Sequence, residues 1–329
     1  MIAMPLPVTR LATFADIAGG WNVVACAPGP DGGTTILLCE ATHFQQVAPV
    51  LGWTAQWAKA DERVRYRIVH LGAGQPEPGP ELVDGGSELY SAHRLPGHGW
   101  LMTFEREACV LADDGAERVR FGIGRAGNRQ VTADGRLWCD YGDEEIFVSQ
   151  PEDAGISCFE PDGRVALHFN DRAERTDWVP AVWCGAGINV ASGDETWVSY
   201  YASWPVAASP ARPSHAVVRL RGYDAKEVWA WPARCGDANL SPSGPFAVAG
   251  DRILVQGSGH GLGSRDPDEA HPHARLYLMP LGEGEGREFL PVDERGAWIG
   301  PFRAEGRGSR LFLATTSALF VADAATVEA

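Results

Sequence analysis

Gly193-Asp-Glu-Thr-Trp-Val-Ser-Tyr-Tyr201 places two turn-forming residues directly before an apolar run, and the same construction recurs along the chain. Glycine and aspartate tolerate the positive φ that tight hairpins need, so each such pair predicts a turn that feeds a strand. Working outward from it, the breaks are Gly32-Gly33, Gly97-His98, Asp134-Gly135, Gly193-Asp194, Gly250-Asp251 and Gly308-Ser309. They introduce strand-like runs at 35–39, 100–104, 136–141, 196–201, 252–256 and 310–315. From Gly135 onward the breaks are about 58 residues apart, and the residues after Gly308 together with those before Gly33 make one more period. A repeat of about 50 residues that closes on itself specifies an all-β fold, a six-bladed β-propeller, with residues 1–329 as a single domain.

The blades are readable strand by strand. Apolar runs at 21–25, 90–95, 129–133, 187–191, 245–249 and 298–303 precede the breaks and are the expected inner strands around the axis. Third strands are expected at 65–71, 108–111, 155–159, 216–220, 275–279 and 318–322. Fourth strands are expected at 81–83, 118–123, 164–169, 227–231 and 288–292, but nothing follows the third strand of the last blade. Residues 9–14 are the natural replacement: they pair the N-terminal strand with the C-terminal blade, close the ring and leave no long edge exposed. In such a ring the second-to-third and inter-blade connections share one face, and here that face carries the long connections 40–64, 142–154, 202–215, 257–274 and 170–186. Long loops on a rigid scaffold are where binding and chemistry concentrate.

Composition narrows the partners. A formal net charge of −15 and a pI near 5.0 oppose a phosphate-backbone footprint, so no nucleic-acid partner is expected. No run approaches the roughly 20 apolar residues of a membrane span, and the first residues do not read as a signal peptide, so the expectation is no membrane partner and a cytoplasmic location. Seven cysteines without C-x-x-C spacing fall mostly inside apolar runs and read as free core residues.

Three constellations fall on the decorated face. The most distinctive is Gly135-Arg-Leu-Trp-Cys-Asp-Tyr-Gly-Asp-Glu-Glu-Ile-Phe147, in which Asp140, Asp143, Glu144 and Glu145 gather beside Tyr141 at a strand end. Carboxylates so placed bind a hard cation or share protons as an acid/base group, while the plain alternative is a solvated acidic loop. The second is Gly257-Ser-Gly-His-Gly-Leu-Gly-Ser-Arg-Asp-Pro-Asp-Glu-Ala-His-Pro-His273; its His260, His271 and His273, with His43, are of a type that ligates zinc or iron, but a polar loop explains them equally well. The third is aromatic: Trp53, Trp57, Trp178, Trp183, Tyr200, Tyr201 and Trp204. Aromatics beside carboxylates suit recognition of sugars, peptides or cationic groups.

The segment 135–147 also resembles a pattern of uncharacterised bacterial six-bladed propeller-like proteins, G-x-[IL]-W-x-x-Y-x-D-E-x-[IV]-[FY], followed about a blade later by a run like Ile188-Asn-Val190 and then Trp197-Val-Ser-Tyr-Tyr201. The resemblance covers 129–206 and implies the fold without an activity. Calcium-dependent six-bladed lactonases carry a Glu on the first inner strand, and Trp21-Asn-Val-Val-Ala25 has none, although Asn189 and Asp140 remain possible oxygen ligands. No G-x-S-x-G elbow or phosphate-cradling glycine loop is present.

The expected function is therefore a binding or accessory propeller that captures a small molecule or peptide over the central channel. Its expected ligand-binding residues are Asp140, Tyr141, Asp143, Glu144, Glu145, Asn189, Tyr200, Tyr201, Trp204 and His260, with no metal and no cofactor. The alternative is an enzyme, a lactonase-like hydrolase or a tailoring isomerase or cyclase, that uses the acidic cluster 140–145 with or without a divalent metal.

Overall fold

Turn glycines and apolar runs build six blades around one axis. The computed structural model describes residues 3–40, 45–46, 55–56, 64–73, 75–84, 89–95, 97, 99–142, 151–203, 214–231, 234–235, 238–241, 244–257, 275–282 and 284–327. Blade one is the antiparallel sheet β3 (Asn22–Pro28), β4 (Thr34–Cys39), β5 (Val64–Leu71) and β6 (Glu77–Asp84). Blade two is β7 (Leu89–Arg94), β8 (Trp100–Phe104), β9 (Glu107–Leu111) and β10 (Glu117–Gly122). Blade three is β11 (Ala126–Val131), β12 (Leu137–Tyr141), β13 (Ile156–Phe159) and β14 (Val165–His168). Blade four is β15 (Ala181–Val190), β16 (Glu195–Ser203), β17 (His215–Arg221) and β18 (Asp224–Ala230). Blade five is β19 (Phe246–Ala249), β20 (Arg252–Gln256), β21 (Leu276–Pro280) and β22 (Arg287–Val292). Blade six supplies β23 (Arg303–Arg307), β24 (Arg310–Ala314) and β25 (Ala318–Asp323).

The ring closes as the sequence predicts. β2 (Thr9–Thr13) is the fourth strand of blade six, antiparallel to β25 with Thr9 opposite Val321 and Thr13 opposite Ala318. An N-terminal strand was not anticipated: β1 (Met4–Pro7) lies parallel to β22, with Met4 opposite Phe289, and adds a fifth strand to blade five. The N-terminal segment therefore clasps two blades, with Leu6, Val8 and Phe14 buried. The sixth inner strand also departs from expectation, because it is Arg303–Arg307 and not 298–303. Gly300, at φ 88°, breaks the apolar run before it can continue, and the true inner strand is charged because it faces the axis.

Apolar faces of successive blades interlock: Trp138 and Ile156 of blade three pack in one cluster with Ile188, Val198 and Tyr200 of blade four. Among the described residues helix is confined to the single turns α1 (Phe14–Ala18) and α2 (Phe169–Ala173) and a 3-10 turn at Glu152–Ala154. Among the described residues no helix is long and apolar enough to cross a membrane. None of the seven cysteines is joined in a disulfide.

Side-chain amides tie the inner strands together. The Gln130 amide nitrogen donates to the carbonyls of Ile188 (2.9 Å) and Gly306 (2.8 Å), while its oxygen accepts from the Val190 N–H (2.8 Å). The Asn189 amide donates to Phe246 O (2.7 Å) and Gly308 O (2.9 Å), and its oxygen accepts from the Gly308 N–H (2.6 Å). These bonds satisfy buried backbone groups of blades four, five and six from one point and draw their inner strands together. Closest approach falls at Gly306, where a Cβ would sit inside van der Waals contact with the Phe246 carbonyl, a backbone group that cannot rotate away. Gly306→Ala is expected to destabilise the fold by about 3 kcal/mol in urea unfolding, since it overpacks the seam and displaces the Phe246 carbonyl that the Asn189 amide uses. A variant as stable as the parent would show that the seam yields.

Candidate functional site

Drawing three inner strands together on one side leaves the channel open on the other. A cavity of about 390 Å³ lies against β3, β7, β11 and β23, with Phe312 and Ala314 of β24. β7, β11 and β23 reach it mainly with their first residues (Leu89 to Ser91, Ala126 to Gln130, Arg303 and Glu305), at the end of the axis where the inner strands begin. By the antiparallel order of each blade, that end shares its face with the second-to-third connections. Residues 41–44, 47–54, 57–63, 143–150, 204–213 and 258–274 of those connections lie outside the described residues.

The cavity wall mixes apolar and charged groups. Val23, Ala25, Ala27, Leu89 and Phe312 supply the apolar part. Arg129, half-buried, donates from Nη1 to Gly127 O (3.1 Å) and lies over the Tyr90 ring, 4.7 Å from its centroid. Burial lowers its pKa. Glu305 has an opposite shift: burial raises its carboxyl, and Arg303, 3.5 Å away, with Arg129, pulls it back. Cys26 is in the wall as an inert thiol, pushed up to about 12 by burial. Deeper along the axis His93 is buried and neutral, pushed down to about 3 by burial and by the positive charges of Arg307 and Arg129. Its Nε2 is 3.0 Å from Ser91 Oγ, and Ser91 lines the cavity.

Asp140 stands behind this wall. It is 2% exposed and closes a bulge in β11: Oδ1 accepts from the Asn128 N–H (2.7 Å) and Oδ2 from the Asn128 amide nitrogen (2.6 Å). Gly127 leaves the room, because a Cβ there would lie 2.5 Å from Oδ1. Burial pushes the Asp140 carboxyl up to about 7, with the Asn128 hydrogen bonds acting against it. Asp140 thus fixes Asn128, which lines the cavity, and does not reach the cavity itself.

The other sequence-predicted residues separate. Tyr141 is buried and donates to Ile123 O (2.9 Å), and Tyr200 is buried beside Phe169 and donates to Pro180 O (2.7 Å). Asn189 is the inter-strand tie described above, and Tyr201 packs on His215 with ring centroids 4.6 Å apart. Asp143, Glu144, Glu145, Trp204 and His260 lie outside the described residues. Trp183, 59% exposed, stands at the start of β15. Among the described residues no group of three or more His, Cys, Asp or Glu side chains is placed to hold a metal ion.

The sequence reading missed Tyr90, Arg129, Arg303 and Glu305. A signal was present for two of them, since Tyr90 and Arg129 each head an expected inner strand and interrupt its apolar character. Arg303 and Glu305 escaped because the sixth inner strand was placed a few residues early.

A six-bladed propeller with a charged axial cavity is the class that fold and site define. No protein-family model matches the chain, and no curated protein matches it. Among solved structures it is similar to a protein of unknown function from Bacteroides caccae, at 10% identity, TM-score 0.42 and 82% of each chain covered. It is likewise similar to a gluconolactonase of Xanthomonas campestris, at 12% identity and TM-score 0.42, covering 98% of this chain and 97% of that one. The WD40 domain of Neurospora crassa Pan2 is similar at 11% identity and TM-score 0.41, with 99% of each chain covered.

Proposed function

We propose that this protein is a binding propeller that captures a small molecule in the axial cavity. One observation carries the reading: the cavity sets a half-buried guanidinium, an aromatic ring and an amide against apolar walls. Such a concave, mostly apolar site with few convergent polar groups is the usual form of a ligand pocket, and about 390 Å³ is within the usual size range. Asn128, held by Asp140, is a fixed donor in that wall. Asp143, Glu144, Glu145, Trp204 and His260, which the sequence offers as ligand-binding residues, lie outside the described residues. Seven cysteines without a disulfide suit a reducing compartment such as the cytoplasm.

Ligand-observed NMR against a fragment library tests the reading. Ala25→Phe fills the cavity from its wall and is expected to abolish at least tenfold of the affinity of any hit while the circular dichroism spectrum is kept. Hits that bind this variant unchanged lie elsewhere on the molecule and refute the axial site.

A second reading, an enzyme of the lactonase, isomerase or cyclase kind using 140–145, rests on one observation, the Asp140 carboxyl held near neutrality. Turnover of a lactone by the wild type that Asp140→Asn abolishes would establish it.

A further inference from the structure

The arginines of the axis differ from the other buried ones. Arg136, Arg219 and Arg275, like Arg129, have an Nε buried without a hydrogen-bond partner, but each is compensated by a carboxylate: Asp134, Glu195 with Glu227, and Glu288 respectively. Arg129 has no carboxylate within ion-pair distance among the described residues, and it donates a hydrogen bond to the Gly127 carbonyl. Arg307 is 8% exposed, and its hydrogen bond is a long one, 3.5 Å to Pro28 O, a residue of the cavity wall. Both cations act on His93, whose Nδ1 is itself buried without a partner. In a chain of net charge −15, two poorly compensated guanidiniums have therefore been kept at the axis. Buried charges are ordinarily paired, because an unpaired one forfeits its hydration.

We propose that the axial cavity takes a small carboxylic acid as its anion, with the carboxylate on Arg129 and the apolar body against Val23, Leu89 and Phe312. This rests on the axial cavity being the binding site. The planar guanidinium offers paired donors matched to a carboxylate, and its position over Tyr90 holds the plane in place. Glu305 shares the cavity and argues for a monoanion: a phosphate dianion would bring a second negative charge against it, whereas a single carboxylate balances Arg129 and leaves Glu305 to Arg303. Arg307 and His93, deeper in the axis, add a field and a polar atom, with Asp31 as the acid that acts on Arg307.

The test uses two matched pairs, benzoate with benzamide and hexanoate with hexanamide, titrated calorimetrically into the full chain. Each acid is expected to bind at least tenfold more tightly than its amide, and Arg129→Gln, with a retained circular dichroism spectrum, is expected to remove the difference. Because Arg129→Gln could fail to fold, the acid-against-amide ratio on the wild type stands as an independent measure, with Arg307→Gln as a second variant expected to weaken the acids alone. Equal binding of acid and amide overturns the carboxylate assignment and leaves the cavity reading intact. Failure of all four to bind at millimolar concentration overturns the carboxylate assignment; if the fragment library also yields no hit sensitive to Ala25→Phe, the cavity reading falls with it.

Discussion

A chain lacking residues 1–13 is expected to melt more than about 10 °C below the full chain, or to aggregate before it melts. The deletion removes β2 from blade six and β1 from blade five, and it strips cover from Leu319, Phe320 and Phe289. Losing the buried Leu6 and Val8 alone costs about 3–6 kcal/mol of apolar burial, and the ladder hydrogen bonds of both strands go with them. For a domain of this size each kcal/mol moves the midpoint by about 2–4 °C. The deletion also creates two long strand edges, which invite pairing between molecules. Differential scanning fluorimetry with size-exclusion chromatography reads both effects. A monomer with an unchanged midpoint would mean that the clasp contributes nothing to closure.

Much of this architecture was legible because second and third strands are buried on both faces, which forces continuous apolar runs. In β4 all six residues are buried, and in β12 all five are. A turn glycine before each run then sets its start, as Gly135 does at φ 85° and Gly308 at φ 55°. First strands are harder to place. One of their faces lines the axis, so β23 reads Arg-Ala-Glu-Gly-Arg and its neighbour 298–303 looks more like a strand than it does. β1 was invisible for a different reason: with two prolines in four residues it carries little strand propensity, and its place is fixed by β22 alone.

The site was less legible than the fold. Asp140 drew attention as one of four clustered carboxylates, but what it does is decided by Asn128, brought opposite it by a bulge that no spacing reveals. Asn189 looked like a free polar group on an inner strand, yet all its hydrogen bonds go to backbone of blades five and six. The cavity itself is a consequence of asymmetry in how inner strands meet, and that asymmetry depends on Gly306 passing the backbone of Phe246. Sequence periodicity describes the blades one at a time and contains no information about this meeting.

Asp140→Asn is expected to raise stability at pH 8 by about 3–4 kcal/mol and to leave it nearly unchanged near pH 4. Burial pushes the native carboxyl up to about 7, Asn128 and Arg129 oppose the shift, and Glu305 adds to it. The unfolded chain has the ordinary value of 3.8. Between those values the native state holds a proton that the unfolded state has released, so the wild type loses stability as pH rises through that window. An amide at 140 does not titrate, and Asn128 keeps both hydrogen bonds by turning its own amide over. A weaker slope remains in the variant, because burial also raises the Glu305 carboxyl. Urea unfolding at a series of pH values from 4 to 8 measures the difference, and parallel curves for the two proteins would show that Asp140 does not carry it. The same variant separates the two functional readings. If Asp140 only fixes Asn128, ligand affinity survives the substitution; if it moves protons, binding survives and turnover is lost.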